Sequence, residues 1–246
     1  MTRKEELRKI LKAALRKKFA QTSPDEILRL SLAALTNLLT IPVLPAAETA
    51  MLYLEMPREF PVTPLILPLL DHSARRIVIP WCEGDHLRLF RLVSAGEAKN
   101  QNDLDLLCSE RLAPGAYGIL EPREELRLRP EFQVEPIQID LVIVPGLGFD
   151  RSCRRLGRGK GYYDRFISTL RPDVPLIGIC FDEQIVECVP TEPHDRTLDD
   201  VVTPTQLYAA EPNTANLPFR EVPVLSPPRP PIEDRNASEE RNDEKN

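Results

Sequence analysis

The chain has 246 residues, a formal net charge of −6 and 42 % hydrophobic residues, enough apolar content for one sizeable core. The acid excess argues against a nucleic-acid or anionic-membrane surface, and no apolar run reaches the roughly 18 residues that a membrane span needs. Five cysteines, odd in number and without C-x-x-C spacing, read as reduced thiols rather than a disulfide frame or zinc site, which places the chain in the cytoplasm.

The N-terminus is charged throughout and so is not a secretory signal; it is basic like a transit peptide but carries Glu5 and Glu6, which such peptides avoid. Its period predicts a helix. Leu7, Ile10, Leu11, Ala14 and Leu15 share one face, and Lys4, Arg8 and Lys12 another. Ser23-Pro24-Asp25-Glu26 predicts a second helix start, with Ser23 as cap and Glu26 closing a capping box. Ile27, Leu30, Ala34 and Leu38 form its apolar stripe, and Ile41-Pro42 ends it. Short strands are expected at Thr49–Leu54 and Arg76–Pro80, a helix at Pro61–Leu70, and a half-exposed strand at Leu87–Val93. Residues 95–138 are polar and proline-bearing, with one short helix at Asp103–Leu107. Leu141–Val144 and Leu176–Phe181 are wholly apolar, as strands covered on both faces are, and Tyr162–Leu170 between them has helical period. This order points to an α/β protein, a three-layer α/β/α sandwich with a mainly parallel sheet. The domain is expected over residues 1–207. The proline-crowded, polar stretch 208–246 is expected to be a disordered tail, with a proline-rich docking peptide as the alternative.

Glycine is scarce, yet Gly146, Gly148, Gly157 and Gly159 cluster, and Gly161 follows. Gly157-Arg158-Gly159-Lys160-Gly161 lets backbone N–H groups turn inward without Cβ obstruction, ahead of a helix start. Arg154, Arg155, Arg158 and Lys160 add positive charge, so the stretch suits a polyphosphate. It matches neither G-x-x-x-x-G-K-[ST] nor G-x-G-x-x-G, and the plain alternative is a tight turn with a solvated basic face. Asp164, in the first turn of the next helix, either complements the helix dipole or holds a magnesium ion against phosphates. Asp199 and Asp200 are candidates for a second carboxylate, and on pattern alone they read as strand-end solvation. His194 reads as structural, since no nucleophile stands beside it.

Residues 144–166, VPGLGFDRSCRRLGRGKGYYDRF, resemble the signature of the 5-formyltetrahydrofolate cyclo-ligase (methenyltetrahydrofolate synthetase) family. The resemblance runs collinearly over roughly residues 3–204. It takes in Lys4 and Arg8, the segment Leu54-x-Met56-x-x-Glu59, Phe181–Ile185 and the stretch 194–202. It implies an ATP-dependent ring closure of 5-formyltetrahydrofolate to 5,10-methenyltetrahydrofolate, with Mg2+ as cofactor and ATP as co-substrate. By the same resemblance Arg158 and Lys160 are catalytic. Lys4, Arg8, Arg155, Leu156, Gly157, Arg158, Gly159, Lys160, Gly161, Tyr162 and Tyr163 hold the nucleotide. Leu54, Met56, Glu59 and Tyr163 meet the folate, with Glu59 anchoring the pterin, and Asp164 and Asp199 hold the metal. The expected partners are small molecules only, with no nucleic acid or membrane, and the expected state is a monomer.

Some of these residues also carry plainer readings. Leu54 and Met56 are strand core by default. Tyr162 and Tyr163 fit helix core as well as a substrate wall. Cys153 stands where family members often have glycine, and Trp81 where many have a basic residue, so a different loop entry and different substrate contacts are expected there. The alternative function is a folate- or nucleotide-binding module that has lost turnover. A phosphosugar isomerase or transferase on a similar scaffold would need an acid–base pair beside the glycine turn, where only Asp164 is available.

Overall fold

The computed structural model describes residues 2–72, 76–115, 118–192 and 195–211. His194 and residues 212–246 lie outside them. In chain order the elements begin with α1 (Arg3–Gln21), α2 (Pro24–Leu38), β1 (Thr49–Met51), α3 (Ile66–His72), β2 (Arg76–Glu83), β3 (His86–Ser94) and α4 (Gln101–Arg111). There follow β4 (Leu112–Pro114), β5 (Leu120–Pro122), α5 (Glu124–Arg127), β6 (Leu141–Val144), β7 (Gly148–Asp150), β8 (Arg155–Leu156) and α6 (Tyr162–Ile167). The last are β9 (Leu176–Ile179), β10 (Ile185–Val186), β11 (Asp200–Val202) and β12 (Leu207–Ala209).

Seven strands form the central sheet in the order β12-β11-β9-β6-β1-β2-β3. The inner pairings are parallel, and the outer strands β3 and β12 run antiparallel to their neighbours. Period-two alternation sends Leu141 and Ile143 of β6 into one core, and Val142 and Val144 into the other. That is why the strand has no polar face. Ala34, Leu35 and Leu38 of α2, Ile66 and Leu69 of α3 and Leu104 of α4 cover the first face. The second is covered by Phe166 and Ile167 of α6 and Phe149 of β7. The expected three layers are present, with one modification. The second outer layer is partly a three-stranded sheet, β10-β7-β8.

Local sequence explains the helix starts. Thr2 caps α1 in a reciprocal box with Glu5. Ser23 Oγ accepts from the Glu26 N–H at 3.2 Å, but the Glu26 carboxylate turns to Arg29 at 2.6 Å, so only half of the expected box forms. In α1 the face is narrower than its period suggested: Leu11 and Leu15 are buried while Ile10 is 58 % exposed. A final difference concerns the domain boundary. Leu207–Ala209 pairs with β11, so position 207 falls inside a strand.

Candidate active site

Parallel sheets present the loops at their carboxyl ends for binding, and here two such loops meet α1. After β1 the chain makes a turn in which the Glu59 N–H donates to Met56 O at 2.9 Å and the Met56 N–H donates to Glu59 Oε2 at 2.9 Å. Arg58 in this turn has φ 69°, a left-handed conformation that costs about 1 kcal/mol for a residue with a Cβ. After β6 the hairpin β7–β8 delivers Gly157–Gly161 to the same place. Arg8 Nε donates to the Gly157 carbonyl at 2.9 Å and fixes α1 against this turn. Gly159 has φ +100°, a backbone conformation that side chains rarely adopt, so it is the turn itself that favours glycine there.

Arg158 joins the two loops. Its Nε donates to Glu59 Oε1 at 2.7 Å. Behind it lies a cleft of about 140 Å³, lined by Lys12, Leu15 and Arg16 of α1, Pro57 and Arg58, Leu147, and Arg158. Four cations and no acid line it, so it attracts an anion. Lys12, Arg16 and Arg58 were not singled out from the sequence as site residues. Lys12 and Arg16 continue the four-residue spacing of Lys4 and Arg8, which places all four along one side of a helix. Arg58 carries no such signal.

The other expected residues divide. Arg155 is buried, with its guanidinium on the Asp164 carboxylate, on Pro145 O at 3.3 Å and 5.9 Å from the Tyr163 ring centroid. It positions Asp164 and Tyr163 and does not offer itself to solvent. The Tyr163 hydroxyl is buried without a hydrogen-bond partner, and burial together with the nearby Glu59 charge pushes its pKa up, so it stays protonated. The Tyr162 hydroxyl donates to Gly84 O at 3.1 Å, tying α6 to the β2–β3 turn. Lys160 is exposed beside this turn. Leu54 and Met56 are half-buried, Leu54 against the first core.

Three expected residues have other surroundings in the structure. The Leu156 side chain is fully buried with Leu11 and Val189, in the core. The Lys4 ammonium bonds Asp195 at 2.7 Å and Glu192 at 3.0 Å. Burial alone would lower its pKa, but these two carboxylates prevail and the net direction is up. Asp199 does not join Asp164. It bonds both the N–H and the carbonyl of Leu176, the first residue of β9, at 2.9 Å each, which puts it at the amino end of the sheet. Asp164 lies by Pro145, beyond Val144, and Val142 is the residue level with Leu176. The offset of three residues is roughly 10 Å along the strands. No cluster of three metal-ligating side chains occurs among the described residues.

The two departures are also resolved. Cys153 has φ 58°, the left-handed conformation that glycine favours, yet it keeps the turn: its N–H bonds Asp150 O at 2.9 Å and its carbonyl accepts from Leu198 at 3.0 Å. Trp81 is buried, and the Arg127 guanidinium covers its ring at 4.5 Å, so a basic group still reaches this position from another element.

Fold and site together define an open, mostly parallel α/β protein with a cationic cleft and an adjacent buried carboxylate at the carboxyl ends of its strands. The chain belongs to the 5-formyltetrahydrofolate cyclo-ligase family, whose model it matches over residues 1–204. A probable 5-formyltetrahydrofolate cyclo-ligase of Schizosaccharomyces pombe is 28 % identical over 217 residues, covering 83 % of this chain and 97 % of that protein. The Escherichia coli K12 5-formyltetrahydrofolate cyclo-ligase is 28 % identical over 196 residues, 79 % of this chain and 98 % of the relative. The solved structure of Aquifex aeolicus 5,10-methenyltetrahydrofolate synthetase superposes with a TM-score of 0.66 at 29 % identity, covering 89 % of this chain and 98 % of that one.

Proposed function

We propose that the protein is an ATP-dependent cyclo-ligase that converts 5-formyltetrahydrofolate to 5,10-methenyltetrahydrofolate, releasing ADP and phosphate. The observation that carries this reading is the Arg158–Glu59 bond, which joins a four-cation cleft to a carboxylate only 10 % exposed. The reaction needs these two subsites side by side. The formyl oxygen attacks the γ-phosphorus of ATP, ADP leaves, and the product is a phosphorylated imidate. N10 then adds to the activated carbon, which closes the ring, and loss of the N10 proton and of phosphate gives the methenyl product. Such a transfer asks the protein for alignment and positive charge rather than covalent chemistry.

The phosphates lie between α1 and the Gly157–Gly161 turn, where Arg158 and Lys160 meet the charge that develops on the transferring group. Glu59 accepts from the amino and ring N–H groups of the pterin. The orphaned Tyr163 hydroxyl supplies a protonated donor on the same side, and Met56 and Leu54 pack against the ring. The residues fit a magnesium ion only in part. Asp164, one oxygen of which Arg155 holds, is the carboxylate that would hold it together with phosphate oxygens, and Asp199 is not. When bound, the ion neutralises charge on the β- and γ-phosphates. We take the protein to be cytoplasmic, a reading supported by five cysteines that all stand as free thiols, and we take it to be a monomer. No helix among the described residues is long and apolar enough to cross a membrane.

The test is absorbance growth of the methenyl product with purified protein, 5-formyltetrahydrofolate, ATP and magnesium, omitting each in turn. ATP-dependent product is expected. Tight binding of both small molecules without product would favour the inactive module instead.

A further inference from the structure

We infer that the Arg158–Glu59 pair is a latch that makes the two substrates bind cooperatively, folate freeing Arg158 for the nucleotide. This rests on the cyclo-ligase reading above. In the structure both Glu59 oxygens are engaged: Oε1 accepts from Arg158 Nε at 2.7 Å, and Oε2 accepts from the Met56 N–H at 2.9 Å. The backbone bond holds the carboxylate where it is, because the Glu59 N–H also closes the turn on Met56 O. A ligand presenting two adjacent N–H donors to Glu59 therefore competes with Arg158, the more mobile member: its side chain is 34 % exposed and that of Glu59 is 10 %.

The same guanidinium lines the cationic cleft. While it neutralises Glu59 its charge is partly withheld from an anion in that cleft. Once neutral donors from the pterin take its place, the charge becomes available to a phosphate within reach of a side-chain rotation. Coupling between the sites is then positive and, by thermodynamic necessity, reciprocal. Simple electrostatics gives the opposite sign, because the folate itself is an anion. The sign of the coupling therefore discriminates.

The test is calorimetric titration of the full chain with the non-hydrolysable analogue β,γ-methylene-ATP plus magnesium, with and without saturating 5-formyltetrahydrofolate, and the reverse titration. The latch predicts about tenfold tighter nucleotide binding with folate present, and the same factor in reverse, within the usual range for coupled sites. It also predicts that Arg158→Gln weakens the nucleotide analogue and abolishes the coupling, while folate binds the variant at least as tightly as wild type, since Glu59 has lost its competitor. Zero or negative coupling in wild type overturns the latch without need of any variant, as does weaker folate binding to Arg158→Gln. If wild type also fails to turn over 5-formyltetrahydrofolate with ATP, the cyclo-ligase reading fails too; turnover with no coupling refutes the latch alone.

Discussion

Replacing Asp164 by alanine tests whether this carboxylate holds the site together apart from any role with a metal. Arg155 beneath it is only 6 % exposed, so the variant leaves a buried guanidinium short of its partner. Breaking a fully buried pair costs about 3–5 kcal/mol. Asp164 is itself 29 % exposed, which admits water, and Pro145 O still accepts from Arg155 at 3.3 Å. The expected loss is therefore about 2 kcal/mol, below the range for a fully buried pair. For a folded unit of this size each kcal/mol moves the melting temperature by about 2–4 °C, so a drop of about 6 °C is expected. Thermal unfolding in magnesium-free buffer measures it. The double variant Arg155→Met with Asp164→Leu should recover most of the loss, because an apolar pair replaces a buried ionic one without leaving a charge behind. A melting temperature for Asp164→Ala within about 1 °C of wild type would refute the argument, since it would mean that water alone satisfies Arg155.

The remaining predictions concern the turn, a thiol and the chain end. Arg158→Ala and Lys160→Ala should each slow methenyl formation by about 100-fold or more while the chain still folds, as loss of one transition-state donor does; wild-type rates would remove both from the reaction. Burial raises the Cys153 thiol from 9.0 to about 12. The unfolded thiol therefore loses its proton first, and the stability contributed by Cys153 is complete below pH 9 and declines as pH climbs toward 12. Cys153→Ala should flatten melting temperature against pH in that window, and parallel curves would show that the thiol contributes nothing. Removing residues 212–246 should leave turnover and melting unchanged. Stopping at Leu207 should lower the melting temperature, because Tyr208 packs on the second core and Tyr208 O accepts from the Cys153 thiol at 3.4 Å.

Much of the scaffold was readable because it follows from period. Leu141–Val144 and Leu176–Ile179 are strands covered twice, and their unbroken apolar letters said so. The hairpin β4–β5 was not readable: both of its strands are three residues long and end in proline, so they look like loop. At the site, the glycine spacing located the turn, but residue type alone cannot say which cation faces a ligand. Arg155 and Lys4 had the right chemistry and turn out to be ion-paired, while Lys12 and Arg16, not expected at the site, line the cleft. Charge letters do not reveal which acid lies within bonding distance across 191 residues, as Asp195 does for Lys4. Asp199 misled for a related reason. An acid at a strand start can cap its neighbour's backbone, and only the register shows at which end of the sheet it stands.

Leu11 rests over Gly148, where an added Cβ would fall 2.5 Å from its Cδ1 atom. One wall of the cation-lined cleft is thus seated in a hollow the size of a missing methyl group. Lys12, Leu15 and Arg16 all ride on that helix, so a side chain at position 148 would act as a wedge. Unless Leu11 turned aside, it would tilt a rigid rod, and the gap between Lys12 and Arg16 on that rod and the opposite loop would widen though no residue facing the gap had changed.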